Sequence, residues 1–197
     1  MSITVPNTRE MLIEVARQLF ARTGVENTTM NDIAQASKRG RRTLYTYFKN
    51  KQEVYLAVIE TEINKLHDSL TAVLQMNMPA DKKLVAYVYA RLDAIKNTVR
   101  RNGNLRALFF RDIWKVENVR KKFDLRDTEI IRSILEDGVK EDIFDVPDPP
   151  ITASILHHAL KGLEVPYIRG ILGEGLSREE HIISLILNGI RVSENTK

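Results

Sequence analysis

The sequence of 197 residues contains no cysteine. Disulfide bonds, thiolate metal sites and cysteine nucleophiles are therefore excluded, which fits a reducing compartment. The sequence also has no run of eighteen apolar residues, and its first residues lack the basic and then apolar layout of a signal peptide. We therefore expect a cytoplasmic protein that has no membrane partner.

Glycine and proline are scarce, with 9 and 6 residues, and no segment alternates between apolar and polar residues as a half-buried strand does. Apolar residues instead recur at helical spacing nearly throughout, which predicts an all-α fold of about nine helices. The predicted helices are 8–23, 30–36, about 40–47, 51–75, 81–102, 105–116, 117–144, 151–172 and 177–192.

Positive charge is concentrated at the start of the chain. Residues 1–51 hold nine Lys and Arg against four Asp and Glu, whereas residues 52–197 hold the remaining 21 against 22. Such an asymmetry indicates a small module for a nucleic acid or an anionic surface, attached to a near-neutral body. We predict a domain boundary after residue 51, with a nucleic-acid-binding module at residues 1–51 and a separate helical body at residues 52–197.

The basic segment 38–51 has the sequence KRGRRTLYTYFKNK. It spans the third predicted helix, the residues on either side of it and the first residue of the fourth. Two short helices joined by a three-residue turn, both packed on the first helix, form a helix-turn-helix, and Leu44 and Phe48 share the inner face of the third helix. A solvated basic helix is the alternative interpretation, but two tyrosines in so short a segment favour a binding face. Arginines at the start of a recognition helix can reach guanine, a threonine or tyrosine can contact a thymine methyl, and hydroxyl and ammonium groups suit phosphates.

The segments TMNDIAQAS and TLYTYFKNKQEVY resemble the DNA-binding signature of the TetR family of bacterial repressors. The matching positions are Ile33-Ala34, Leu44-Tyr45, Tyr47-Phe48 and Lys51. The resemblance implies base contacts from Arg41, Arg42, Thr43 and Tyr45. It also implies phosphate contacts from Thr29, Tyr47 and Lys51.

The turn of this helix-turn-helix departs from the family pattern. Lys38-Arg39-Gly40 stand where Gly-Val-Ser is usual, so Lys38 must adopt the positive φ that a glycine takes freely. The substitution also brings further cations to the DNA backbone, and we add Lys38 to the expected phosphate contacts.

The last predicted helix carries apolar residues around most of its circumference and therefore needs cover on every side. Burial within a monomer is one interpretation, and a second copy of the chain is the other. TetR-like proteins dimerise through their last two helices, so the resemblance implies a homodimer. The expected interface residues are Leu156, Leu163, Tyr167, Ile182, Ile186 and Ile190.

Aromatic residues gather between residues 87 and 114, and two adjacent histidines follow in a later helix. The resemblance implies a pocket here for a small-molecule effector, whereas a plain aromatic core is the alternative. The candidate pocket residues are Tyr87, Phe109, Phe110, Trp114 and His157.

No HExxH, GxSxG, P-loop or GxGxxG motif is present, and we expect neither an enzyme nor a bound metal or cofactor. The preferred hypothesis is a ligand-responsive transcriptional repressor that binds a palindromic operator as a homodimer. One alternative is an architectural or cell-cycle factor of the same fold that needs no inducer. The other is a small-molecule-binding protein or enzyme whose basic segment docks an acidic partner.

Overall fold

The computed structural model describes residues 7–102, 117–168 and 177–191, and these contain eight α-helices. They are α1 (Thr8–Thr23), α2 (Met30–Ala36), α3 (Arg41–Tyr47), α4 (Lys51–Leu74), α5 (Ala80–Asn102), α6 (Glu117–Lys140), α7 (Pro149–Ile168) and α8 (Ser177–Ile190). The all-α prediction is confirmed. The predicted helix 105–116 lies outside the described residues, and none of the described helices is long and apolar enough to cross a membrane.

The chain divides into two compact units, Met1–Asn64 with Thr98–Arg120 and Lys65–Asn97 with Lys121–Lys197. The division follows contacts in space rather than a single cut in the sequence. The predicted domain boundary after residue 51 therefore stays a prediction.

The first unit has an apolar core to which α1, α2, α3 and α4 all contribute. Each fully buried leucine or phenylalanine stabilises the fold by about 1.5–3 kcal/mol relative to an exposed one. The buried residues include Leu12, Ala16, Phe20, Ile33, Leu44, Phe48, Val54 and Val58.

A polar network in the first unit joins α1 to the end of α5. Arg17 of α1 donates to the backbone oxygen of Arg101 at 3.0 Å, while its guanidinium is also held by Glu14. Glu62 of α4 accepts from Arg101 at 2.6 Å and from Asn102 at 2.9 Å. The carbonyl groups at a helix C-terminus have no partners within the helix, so Arg17 satisfies one of them for α5.

In the second unit, the turn between α6 and α7 depends on a close approach at a glycine. The amides of Ile143 and Phe144 both donate to the carbonyl of Gly138, at 2.9 and 3.1 Å. A Cβ at Gly138 would lie 2.1 Å from Cδ2 of Phe144, so any other residue would require the Phe144 ring to shift. Asp148 then accepts from the amide of Ile151 at 2.9 Å, and this N-cap leaves the two prolines in the first turn of α7.

Candidate nucleic-acid interface

The second helix of the candidate interface starts with a capping box. Thr29 accepts from the amide of Asp32 at 3.2 Å, and the Asp32 carboxylate accepts from the amide of Thr29 at 2.8 Å. The hydrogen bonds from the backbone and then the hydroxyl of Thr29 lower the pKa of Asp32, so this cap is ionised at neutral pH. Thr29 is exposed at the N-terminus of α2, a position from which a hydroxyl can meet a phosphate.

The turn from α2 to α3 is a Schellman motif with a lysine at its left-handed position. Lys38 has φ of +53°, as the sequence predicted, and its amide donates to Gln35 at 3.0 Å. The amide of Arg39 donates to Ala34 at 3.1 Å, and buried Ser37 donates its hydroxyl to the same carbonyl at 3.0 Å. These bonds satisfy the last carbonyls of α2 and offset the strain at Lys38.

The third helix is amphipathic over its seven residues. Leu44 and Phe48, the residue that follows α3, are buried, and the guanidinium of Arg9 lies 5.4 Å from the centre of the Phe48 ring. The opposite face carries the predicted base-contact residues. Of these, Arg41, Arg42 and Tyr45 are exposed and Thr43 is half-buried, and Tyr47 at the end of the helix is also exposed.

An asparagine N-cap fixes the start of α4 directly after this face. Asn50 accepts from the amide of Glu53 at 2.9 Å. The Glu53 carboxylate accepts from the amide of Lys49 at 2.7 Å rather than from that of Asn50. The short link from α3 to α4 is therefore held at both ends.

Lys51, the first residue of α4, has its ammonium group on backbone carbonyls of the turn between α1 and α2. Nζ donates to the oxygen of Val25 at 2.7 Å and to that of Glu26 at 3.2 Å. The sequence predicted a phosphate contact for this lysine and gave no sign of these two bonds, which join residues 25 positions apart or more.

In the second unit, the two described candidates for the effector pocket are both buried, and both bond to one carboxylate. The Tyr87 hydroxyl donates to Asp127 at 2.6 Å, and Nδ1 of His157 lies 2.8 Å from the other carboxylate oxygen. Arg91 also donates to Asp127. Phe109, Phe110 and Trp114, the other predicted pocket residues, lie outside the described residues.

Three half-buried charged residues, Asp124, Lys161 and Glu164, border these buried groups. Glu164 accepts from Arg91 at 2.7 Å, and Asp124 pairs with Lys161 and lies 3.5 Å from Nε2 of His157. We call the set Tyr87, Arg91, Asp124, Asp127, His157, Lys161 and Glu164 the polar cluster. Only Tyr87 and His157 were singled out from the sequence, because a charged residue on a helix is usually solvated and its burial depends on the partner helices.

Opposing effects set the pKa values in the polar cluster. Burial raises the pKa of Tyr87 well above its ordinary value, so its hydroxyl stays protonated and donates. Burial alone would raise the pKa of Asp127, but hydrogen bonds and the charges of His157 and Arg91 lower it. Burial alone would lower the pKa of His157, yet the nearby carboxylates of Asp124 and Asp127 raise it. With His157 protonated, three cations face three carboxylates, and the cluster is electrically balanced.

The predicted interface residues of α7 and α8 are largely covered within their own chain. Leu156, Leu163, Ile182 and Ile186 are half-buried, Ile190 is buried, and the side chain of Tyr167 is outside the description. Other apolar side chains of these helices reach the surface. They are Ile151 and Ile155 of α7, 60% and 62% exposed, and Leu185 of α8, 79% exposed.

Residues 12–58 match the family model described as bacterial regulatory proteins, tetR family. The transcriptional regulator YhgD of Bacillus subtilis is 24% identical over 153 residues, which cover 75% of this chain and 78% of that protein. The transcriptional regulator TtgR of Pseudomonas putida is 31% identical over 100 residues, or 48% of this chain and 47% of that protein.

Similar structures extend the likeness beyond the matched segment. The crystal structure of a transcriptional regulator from Cytophaga hutchinsonii has a TM-score of 0.75 and 26% identity, with 93% of this chain and 98% of that chain covered. The matched segment runs from α1 into α4 and contains the capping box, the Schellman turn and the amphipathic third helix. Residues 12–58 are a DNA-binding domain of the TetR family of bacterial regulatory proteins, and the chain is a DNA-binding transcriptional regulator.

Proposed function

We propose that this regulator is an effector-responsive repressor that binds a palindromic operator as a homodimer. The observation that carries the proposal is the amphipathic α3, whose inner side is held by buried Leu44 and Phe48 while Arg41, Arg42 and Tyr45 are exposed. A helix held in this way can enter a major groove without losing core contacts. Members of the family are typically repressors that respond to a ligand, which supports the same function.

In this proposal, α3 reads base edges. Arg41 and Arg42 lie in its first turn, and each guanidinium fork fits the O6 and N7 acceptors of a guanine. Thr43 and Tyr45 offer a methyl group and an aromatic ring to thymine methyls. The hydroxyl of Thr46 is turned to its own helix, since it donates to the carbonyl of Arg42 at 2.9 Å, so we assign it no base contact.

Three exposed groups around α3 are proposed to bind the DNA backbone. Thr29 stands at the start of α2, Lys38 in the turn, and Tyr47 at the end of α3. Contacts of this kind fix the register of a protein on DNA without reading sequence. Lys51, the fourth residue expected at a phosphate, is considered in the next subsection because its ammonium group already has two partners.

We propose that the second copy of the chain covers the exposed apolar side chains of α7 and α8. Ile151, Ile155 and Ala159 recur every four residues and so form one stripe along α7, and all three are exposed. Leu185 is the most exposed large apolar residue described. The interface residues expected from the sequence would then lie behind this surface and support it.

The effector is proposed to act on the second unit, near the polar cluster. Tyr87 and His157 were predicted to line the pocket, and both are tied to Asp127, so a molecule that binds beside them competes with or reinforces those bonds. An effector can shift a conformational equilibrium only through different affinities for the two states. In the DNA-bound state, the two copies of α3 must match successive major grooves, about 34–36 Å apart or a multiple of this.

Selection of random duplex DNA by the purified protein at moderate salt tests the proposal. An inverted repeat that contains guanines in each half is the expected result. Recovery of DNA without any shared sequence would reduce segment 38–51 to a general polyanion site and contradict the proposed readout. With the operator in hand, its release by candidate compounds tests the effector response.

A further inference from the structure

We propose that Lys51 is a positioning residue, which holds the turn before α2 in place for DNA binding and does not itself bind a phosphate. This inference rests on the proposed DNA contacts. It concerns what fixes the position of Thr29 relative to the start of α4 within the first unit.

The distances support this role. The Lys51 ammonium is 2.7 Å from the oxygen of Val25 and 3.2 Å from that of Glu26, and the side chain is half-buried. A lysine ammonium has three N–H donors, so two of them are used by these carbonyls. A phosphate would have to share the third donor or displace a bond that is already made.

Val25 and Thr28 of the turn that Lys51 holds are buried, and the described hydrogen bonds from this turn to a distant side chain are those of Lys51. The other described side-chain bonds of the turn are local: Thr28 donates to Gly24 at 2.7 Å, and Asn27 donates to Thr23 at 3.0 Å. Lys51 thus supplies two hydrogen bonds that connect this turn to α4.

The consequence for DNA binding follows from the position of Thr29. Thr29 comes three residues after Glu26 and caps α2, so the carbonyls bound by Lys51 set where this hydroxyl and the first turn of α2 stand. Loss of the two bonds would free the turn and displace a phosphate-facing group. Operator affinity would fall because the protein would dock less precisely on the DNA. The number of cations that contact DNA phosphates would stay the same.

The salt dependence of binding separates the two roles. Each lysine that neutralises a phosphate contributes about 0.9 to the slope of log K against log salt concentration, whereas a positioning residue contributes nothing of that size. We compare wild type with Lys51→Gln and Lys51→Arg on the selected operator, or on a random-sequence duplex if selection yields no operator. Lys38→Gly, which removes a proposed phosphate contact, shows the slope change that the assay can resolve.

We expect Lys51→Gln to lower operator affinity about tenfold, equivalent to about 1.4 kcal/mol, with the wild-type slope retained. Lys51→Arg, which keeps donors for both carbonyls, should restore most of the affinity. Hydrogen exchange of residues 24–29 in the free protein should be faster in Lys51→Gln and near wild type in Lys51→Arg.

The opposite results would overturn the proposal in distinguishable ways. A slope reduced by about 0.9 in Lys51→Gln, with unchanged exchange at residues 24–29, would make Lys51 a phosphate contact. An unchanged affinity would make it irrelevant to binding. If wild type binds no duplex at all, the proposed function fails and this role fails with it.

Discussion

Nδ1 of His157 lies 2.8 Å from a carboxylate oxygen of Asp127, and both side chains are buried. This pair connects α7 to α6, and the same carboxylate receives Tyr87 and Arg91 from α5. A buried ionic cluster is weak evidence for stability, because desolvation offsets much of the attraction. It does make the stability of the second unit depend on the protonation of His157.

The first prediction concerns pH. The groups that face His157 are Asp127 and Asp124 of α6, Arg91 of α5 and the neighbouring His158 ring, 5.1 Å away between ring centres. Because folding raises the pKa of His157, its contribution to stability is complete below the unfolded pKa of about 6.5. That contribution is lost as the pH rises through the folded pKa.

Urea unfolding at pH 6 and at pH 8.5 measures this loss. Wild type should lose free energy of unfolding at the higher pH, and His157→Gln should remove that component of the pH dependence. His158→Gln is the matched control, since His158 is exposed and adjacent. The same pH dependence in wild type and His157→Gln would contradict the prediction.

The second prediction concerns sequence readout by α3. Arg42→Ala should cost about 1–3 kcal/mol of operator binding and relax the preference at one base pair. The measurement is the affinity of wild type and of Arg42→Ala for operators in which each half-site base pair is substituted in turn. If Arg42→Ala weakens specific and random DNA equally, Arg42 is a backbone contact instead.

The third prediction uses the strained position of Lys38. Lys38→Gly should raise the free energy of unfolding by about 0.5–1 kcal/mol, because glycine takes a φ of +53° without steric cost. It should also weaken binding to all DNA sequences alike and reduce the salt slope by about 0.9. Thermal unfolding and binding at several salt concentrations measure the two effects, and a gain in both stability and affinity would refute the phosphate contact.

The fourth prediction concerns the dimer. Leu185→Glu should produce monomers in sedimentation experiments, because a carboxylate would be buried against the partner without a cation. Because the Leu185 side chain is exposed within a single subunit, Leu185→Glu should leave the fold of that subunit intact. Leu125→Glu, an equal change at another exposed leucine, on α6, is the control. Dimers that survive Leu185→Glu, or dissociate with Leu125→Glu, would exclude the proposed face.

The fifth prediction concerns the close approach after α6. Gly138→Ala should destabilise the second unit by about 1–3 kcal/mol, since its methyl group would overlap the Phe144 ring. Val139→Ala, at the exposed next position, should change stability by less than about 0.5 kcal/mol. Equal midpoints in urea for Gly138→Ala and wild type would show that the ring moves aside freely.

The sequence by itself determined the helices of the DNA-binding region and the chemistry of its exposed face. Helix periodicity is local, so the bounds of α1, α2 and α3 were predictable from neighbours a few positions away, whereas the positive φ of Lys38 followed from the resemblance to the TetR pattern. The alternation of Leu44 and Phe48 with arginines and tyrosines likewise follows from the helical repeat alone.

Only the tertiary structure decided which polar groups are buried and which apolar groups are left at the surface. Arg91, Asp127 and Glu164 meet because three helices pack together, and no local pattern distinguishes them from solvated charges. Ile190 is buried and Leu185 exposed although both belong to the same apolar helix, since burial depends on what lies opposite each face. Lys51 turns back to Val25 and Glu26 for the same reason: its partners are distant in sequence and are brought near only by folding.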